Sequence, residues 1–105
     1  MATDSRELGR HFFAAVVTLA CHTGSLQERL ADAYADHLLQ VVASDLPAEL
    51  QPVFRELEER MTAAGGDASD DPFRAAAEEL SDEDARRMIE RIVALFGRLA
   101  VRASA

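Results

Sequence analysis

Four arginines near the end of the 105-residue chain, Arg87, Arg91, Arg98 and Arg102, are the residues whose type and spacing point most directly to chemistry. On a helix of 3.6 residues per turn they fall within about 60° of one another, in a line roughly 22 Å long. Such a stripe can dock an acidic protein segment or a phosphate backbone, or it can pair with acids of its own chain. Glu28, Asp32 and Asp36, spaced four apart, make an acidic row that repels itself by a few tenths of a kcal/mol per pair. Set beside the arginines, that repulsion becomes attraction. The charge balance favours internal pairing, because 19 acidic residues against 11 basic ones, all arginine, leave a net −8. Four phosphate contacts would have to overcome that field, so nucleic acid is not an expected partner.

Arg6 and His11, with four residues between them, carry a second possibility. Their spacing resembles the Arg–His pair with which the HEPN class of small helical ribonucleases attacks an RNA phosphodiester. The resemblance implies Arg6 and His11 as catalytic residues, with the late arginines as a nucleic-acid contact. A chain with 3 histidines and 11 arginines shows about one such spacing by chance, so the pair defines an alternative rather than the main reading. Metal chemistry has little to work with. His11, Cys21, His22 and His37 are the soft candidates, but Cys21 and His22 are adjacent and point about 100° apart on a helix. No Glu-x-x-His, Cys-x-x-Cys or His-x-x-x-His occurs, so neither metal nor cofactor is expected. Cys21 lies in an apolar run, where a thiol behaves as a small hydrophobe. The abundant carboxylates read as a solvated face. Tyr34 and the five phenylalanines sit at apolar-stripe positions, where core packing accounts for them.

The elements that must position these residues are helices. Leu, Ile, Val and Phe fill about a quarter of the chain, enough for a folded domain. β-Branched residues never alternate with polar ones, so strands are not expected. The first helix starts after Asp4, whose side chain can cap near Glu7, and carries Leu8, Phe12, Ala15/Val16 and Leu19 at stripe spacing. It ends at His22-Thr23-Gly24, with Gly24 expected in the left-handed conformation of a C-terminal cap. Residues 12–20 are apolar almost all round, and the run ending Leu19-Ala20-Cys21 is similar to a bacterial lipoprotein signal with Cys21 as the lipidated residue. Asp4 and Glu7 offset the charge of Arg6 and Arg10, and Thr18 stands where such signals place Leu. The run is also shorter than the roughly 20 residues that span a bilayer. A single cysteine allows no intramolecular disulfide, which points to the reducing cytoplasm. The Ala-rich, Lys-free composition suggests a GC-rich bacterial genome.

Ser25-Leu-Gln-Glu28 is a capping box that opens a second helix with Leu26, Leu30, Ala33/Tyr34, Leu38 and Val41 inward. Pro47 suits a first turn, whereas Pro52 either begins the third helix or kinks it. Leu50, Val53/Phe54, Leu57 and Met61 form its stripe. Gly65 and Gly66 end it, and residues 65–71 read as a loop. Asp71-Pro72 starts a short fourth helix, expected across one end of the bundle. Ser81-Asp-Glu-Asp84 starts the fifth helix, with Ala85, Met88/Ile89, Ile92, Leu95/Phe96 and Leu99 inward. The fold class is therefore all-α, an antiparallel bundle of four long helices plus one short helix, in a single domain over 1–105. Gly9 and Gly97, each costing about 1 kcal/mol inside a helix, mark either close backbone approach or tolerance near a helix end.

One feature of this pattern carries a function. Phe12/Phe13, Val16/Val17, Leu38/Leu39 and Val41/Val42 are adjacent apolar pairs, with Val93 and Phe96 further along, and no single stripe accommodates them all. Exposing such side chains forfeits about 1.5–3 kcal/mol each. The expected function is a non-enzymatic interaction module that self-associates, most simply as a homodimer, with another protein as a further candidate partner, contacting through Phe13, Val17 and the arginine stripe. A third class, an acidic mimic of a basic groove's natural ligand, would use Glu28, Asp32, Asp36, Glu56 and Glu59.

Overall fold

The computed structural model describes residues 5–62 and 72–104. They form an all-α bundle of four long helices and one short one, with no strand among the described residues. The first, α1, spans Ser5–Cys21, and α2 spans Leu26–Ala33 and runs on through a single π-helical turn, Tyr34–Leu38. Two short 3-10 turns, Ala43–Asp45 and Ala48–Leu50, lead into α3, Gln51–Thr62. Pro52 therefore stands in the first turn of α3, where its missing amide has no helical partner to lose. The short α4 spans Pro72–Glu78, with Pro72 in the first helical position, and α5 spans Asp82–Ser104. The expected caps at Asp4 and Asp71 and the loop 65–71 lie outside the described residues.

The α1–α2 connection is the most tightly built turn. Ser25 Oγ accepts from the Glu28 amide at 3.1 Å and Glu28 Oε1 accepts from the Ser25 amide at 3.1 Å, closing the capping box. Gly24 is not left-handed, contrary to expectation. Its amide donates to His22 Nδ1 at 2.8 Å, so that nitrogen keeps its lone pair and the ring proton sits on Nε2, which donates to Asp32 at 2.7 Å. Arg29 Nε closes the loop on the Gly24 carbonyl at 2.9 Å. The glycine is there for space. A Cβ on Gly24 would stand 2.7 Å from His22 Cε1 and 3.0 Å from Glu28 Oε1.

Contacts fix the helix directions. Gln27, in the first turn of α2 just after the α1–α2 connection, donates to the Leu80 carbonyl and to Asp82 at the start of α5. Phe96, deeper in α5, lies on Phe13, nearer the start of α1, with ring centroids 5.8 Å apart. So α5 runs antiparallel to α1. It also runs antiparallel to α3, since Arg60, Glu56 and Glu49 meet Asp84, Arg91 and Arg102 in that order. The short α4 bridges α2 and α3, and its Phe73 ring rests 5.1 Å from that of Tyr34. The core is built mainly from the stripes that the periodicity marked, with Leu8, Phe12, Leu30, Leu38, Phe54, Leu57, Met61, Ile92, Leu95 and Leu99 all fully enclosed. Leu46, Ala77 and Leu80, on no stripe, join it, while Leu26, Val53, Ile89 and Phe96 are half-buried against it. At its centre Phe12 and Phe54 meet edge to face at 5.9 Å.

Candidate interaction surface

The two flanks of α5 differ in chemistry because α1 and α3 lie on opposite sides of it. On the α3 flank stand Arg87, Arg91, Arg98 and Arg102, kept in one stripe by the regular helix. Arg91 Nη1 lies 2.7 Å from Glu56 Oε1, a charge contact without hydrogen-bond alignment, and Arg102 binds Glu49. Arg87 instead stays on its own helix, 2.8 Å from Glu83 and 3.9 Å from Asp84. Arg98 makes no ion pair among the described residues, but its field joins the Arg102 hydrogen bond in holding the Glu49 carboxyl below its usual range. Arg91 and Arg98, with Glu49, rim a groove of about 230 Å³ floored by Leu50, Val53, Ala94 and Leu95. The groove continues toward the end of α5 past Gly97, Val101 and Arg102.

The partners of the stripe are thus not the α2 acids. Glu28 faces Arg74 at 3.4 Å and Asp32 holds His22, while Asp36 is exposed. The π-helical turn also breaks the regular spacing of the row before Asp36 is reached. The five acids of the mimic reading are accordingly scattered, with Glu56 on Arg91 and Glu59 exposed on α3. Sequence reasoning missed that Glu49 and Glu56, two turns apart, match the stripe in an antiparallel pairing.

On the α1 flank the surface is apolar. Phe13 is 56 % exposed, Val17 is 41 % and Val93 is 45 %. Phe13 and Val17 are one turn apart on α1, and Val93 and Phe96 one turn apart on α5. With Phe13 against Phe96 and the helices antiparallel, these four side chains form one continuous ridge. The exposed outer positions Ala94, Gly97 and Val101 extend it without a charge toward the arginine groove. Among the described residues, a Cβ on Gly97 or on Gly9 would meet nothing within 4 Å beyond its own helix backbone, so neither glycine serves a close approach between the described helices. Each adjacent pair splits as space dictates. Phe12, Leu38 and Val41 are buried and Val16 is half-buried, whereas Phe13, Val17, Leu39 and Val42 face outward. Phe13 is therefore the exception among the aromatic residues expected in the core.

Arg6 and His11 are not brought together. Five residues of regular helix turn their side chains about 140° apart; Arg6 is exposed and His11 half-buried. Among the described residues, no three of His, Cys, Asp and Glu are grouped to hold a metal ion. His22 has both ring nitrogens engaged, and His37 Nε2 shares a hydrogen bond with Thr18 at 2.9 Å. Cys21 is exposed at the last position of α1, and the run that precedes it supplies core residues Phe12, Ala15 and Leu19. No described helix is long and apolar enough to cross a membrane. Compared with known proteins, the chain matches no family model, no curated protein and no solved structure.

Proposed function

We propose that the chain is a non-enzymatic interaction module whose working state is a homo-oligomer, most simply a dimer, joined through the α1–α5 ridge. The observation that carries this reading is the placement of Phe13, Val17 and Val93 on one uncharged surface at 41–56 % exposure. Clustered apolar area of this kind marks an interaction face more often than scattered exposed residues do. The reducing cytoplasm suits a chain with one thiol, and we place the protein there. The test replaces apolar ridge with charge. Phe13→Asp and Val17→Asp should leave the helical circular-dichroism spectrum intact and shift sedimentation from dimer to monomer; sedimentation unchanged in both variants contradicts the reading.

A second reading rests on Arg98, which lines the α3–α5 groove near Glu49 but makes no ion pair among the described residues. In it, the groove receives an acidic segment of another protein, with Leu50 and Val53 beneath the chain and Arg98 on the carboxylate. Fluorescence anisotropy with a labelled acidic peptide should then weaken on Arg98→Glu, and equal binding by both forms removes it.

A further inference from the structure

The ridge carries opposite charge at its two ends. At the start of α1, Arg6 and Arg10 are exposed and make no ion pair among the described residues. The antiparallel course of α5 brings Arg98 and Arg102 to the same end, where Glu7 and Glu49 are the acids among the described residues. At the other end stand Asp82, Glu83, Asp84 and Glu90, with Glu78 and Glu79 just before them. Arg60, Arg86 and Arg87 lie among these acids but are engaged by them, 3.6 Å from Asp84, 4.0 Å from Glu90 and 2.8 Å from Glu83 respectively. Among the described residues one end is net positive and the other net negative, with the apolar Phe13–Val17–Val93–Phe96 surface between.

That pattern is self-complementary in only one sense. A two-fold axis parallel to the helices lays like ends over like and sets Arg10 near the partner's basic end. A two-fold axis across the helices lays each basic end over the partner's acidic end while apolar centres coincide. Charge contributes here to register more than to raw affinity. Resting on the self-association proposed above, we infer that the ridge takes a second copy of this chain in the crosswise arrangement, with Arg10 of one copy over the Glu90 end of the other. Along the ridge Arg10 lies about 5 residues before the centre and Glu90 about 4 residues beyond it, near 7 Å each way at 1.5 Å per residue. The two therefore come to the same level when the copies are related by that axis.

A charge-swap cycle on the full-length chain tests the register. Arg10→Glu and Glu90→Arg are exposed changes that leave the core untouched. Each alone should raise the dimer dissociation constant about tenfold at low salt, and the double variant should return it to within about threefold of the parent. Sedimentation equilibrium reads all four proteins, with circular dichroism as the check on folding. A parent that dimerises while the two swaps act additively, or not at all, overturns the crosswise register and leaves self-association standing. A parent that stays monomeric overturns both.

Discussion

Gly24 and Gly97 show how differently one residue type can be used. A Cβ at Gly24 would collide with His22 Cε1 at 2.7 Å, while one at Gly97 would meet nothing within 4 Å. Gly24→Ala should therefore push the His22 ring off Asp32 and lower stability, and Gly97→Ala should raise it by about 1 kcal/mol through helix propensity; urea titrations of the two variants check both signs. In place of the left-handed cap expected at Gly24, its backbone amide donates to the His22 ring, and that ring is held by Asp32, ten residues away, which the local pattern does not encode. The capping box was readable because both of its bonds are local, and Ser25→Ala should cost about 1 kcal/mol. Tyr34 gives a pH signature. Burial first, and then the nearby Glu58 carboxylate, push its phenol from 10.0 to about 12. The folded chain keeps a proton that the unfolded chain has already lost, so this contribution is whole below pH 10 and disappears by about pH 12. Tyr34→Phe should flatten the loss of stability in urea melts between those values, and an alkaline limb unchanged by the substitution would contradict it.

At the scale of elements, the inward stripes were readable because burial repeats with the helical period, and every buried position on α3 and α5 obeys it. What the period cannot tell is which helix lies beside which. The arginines of α5 were matched with the α2 row on charge alone, whereas the antiparallel course of α3 delivers Glu49 and Glu56 to them. The π-helical turn in α2 was equally unreadable, since one extra residue in a turn leaves the apolar spacing of Tyr34, Leu38 and Val41 nearly unchanged. Energetics separate the two kinds of contact between helices. Phe54→Ala should cost about 3–5 kcal/mol, because its ring is fully buried against Phe12. Glu56→Gln, at a half-exposed rung of the ladder, should cost about 0.5 kcal/mol at low salt and less at high salt. The Glu49 rung, whose carboxyl is held below its usual 4.5 by the Arg102 hydrogen bond, stabilises above that pH and is lost as pH falls through the lowered value.

For the whole molecule, the apolar pairs set the question that one protomer leaves open. Residues 5–62 and 72–104 close one core around one member of each pair, and a bundle with a single core has no second interior for the other. That surplus was readable from sequence, as was the bundle; the joining of Phe13, Val17, Val93 and Phe96 into one ridge depended on α1 and α5 being antiparallel neighbours, which only the fold supplies. A second copy covers such a ridge without requiring any other gene product. Light scattering on the purified chain across about 1–100 μM, the range in which modest interfaces of this type dissociate, measures the claim directly. The expected result is a mass that climbs from the 11.5 kDa of one chain toward twice that value. A mass that stays at 11.5 kDa throughout contradicts the account.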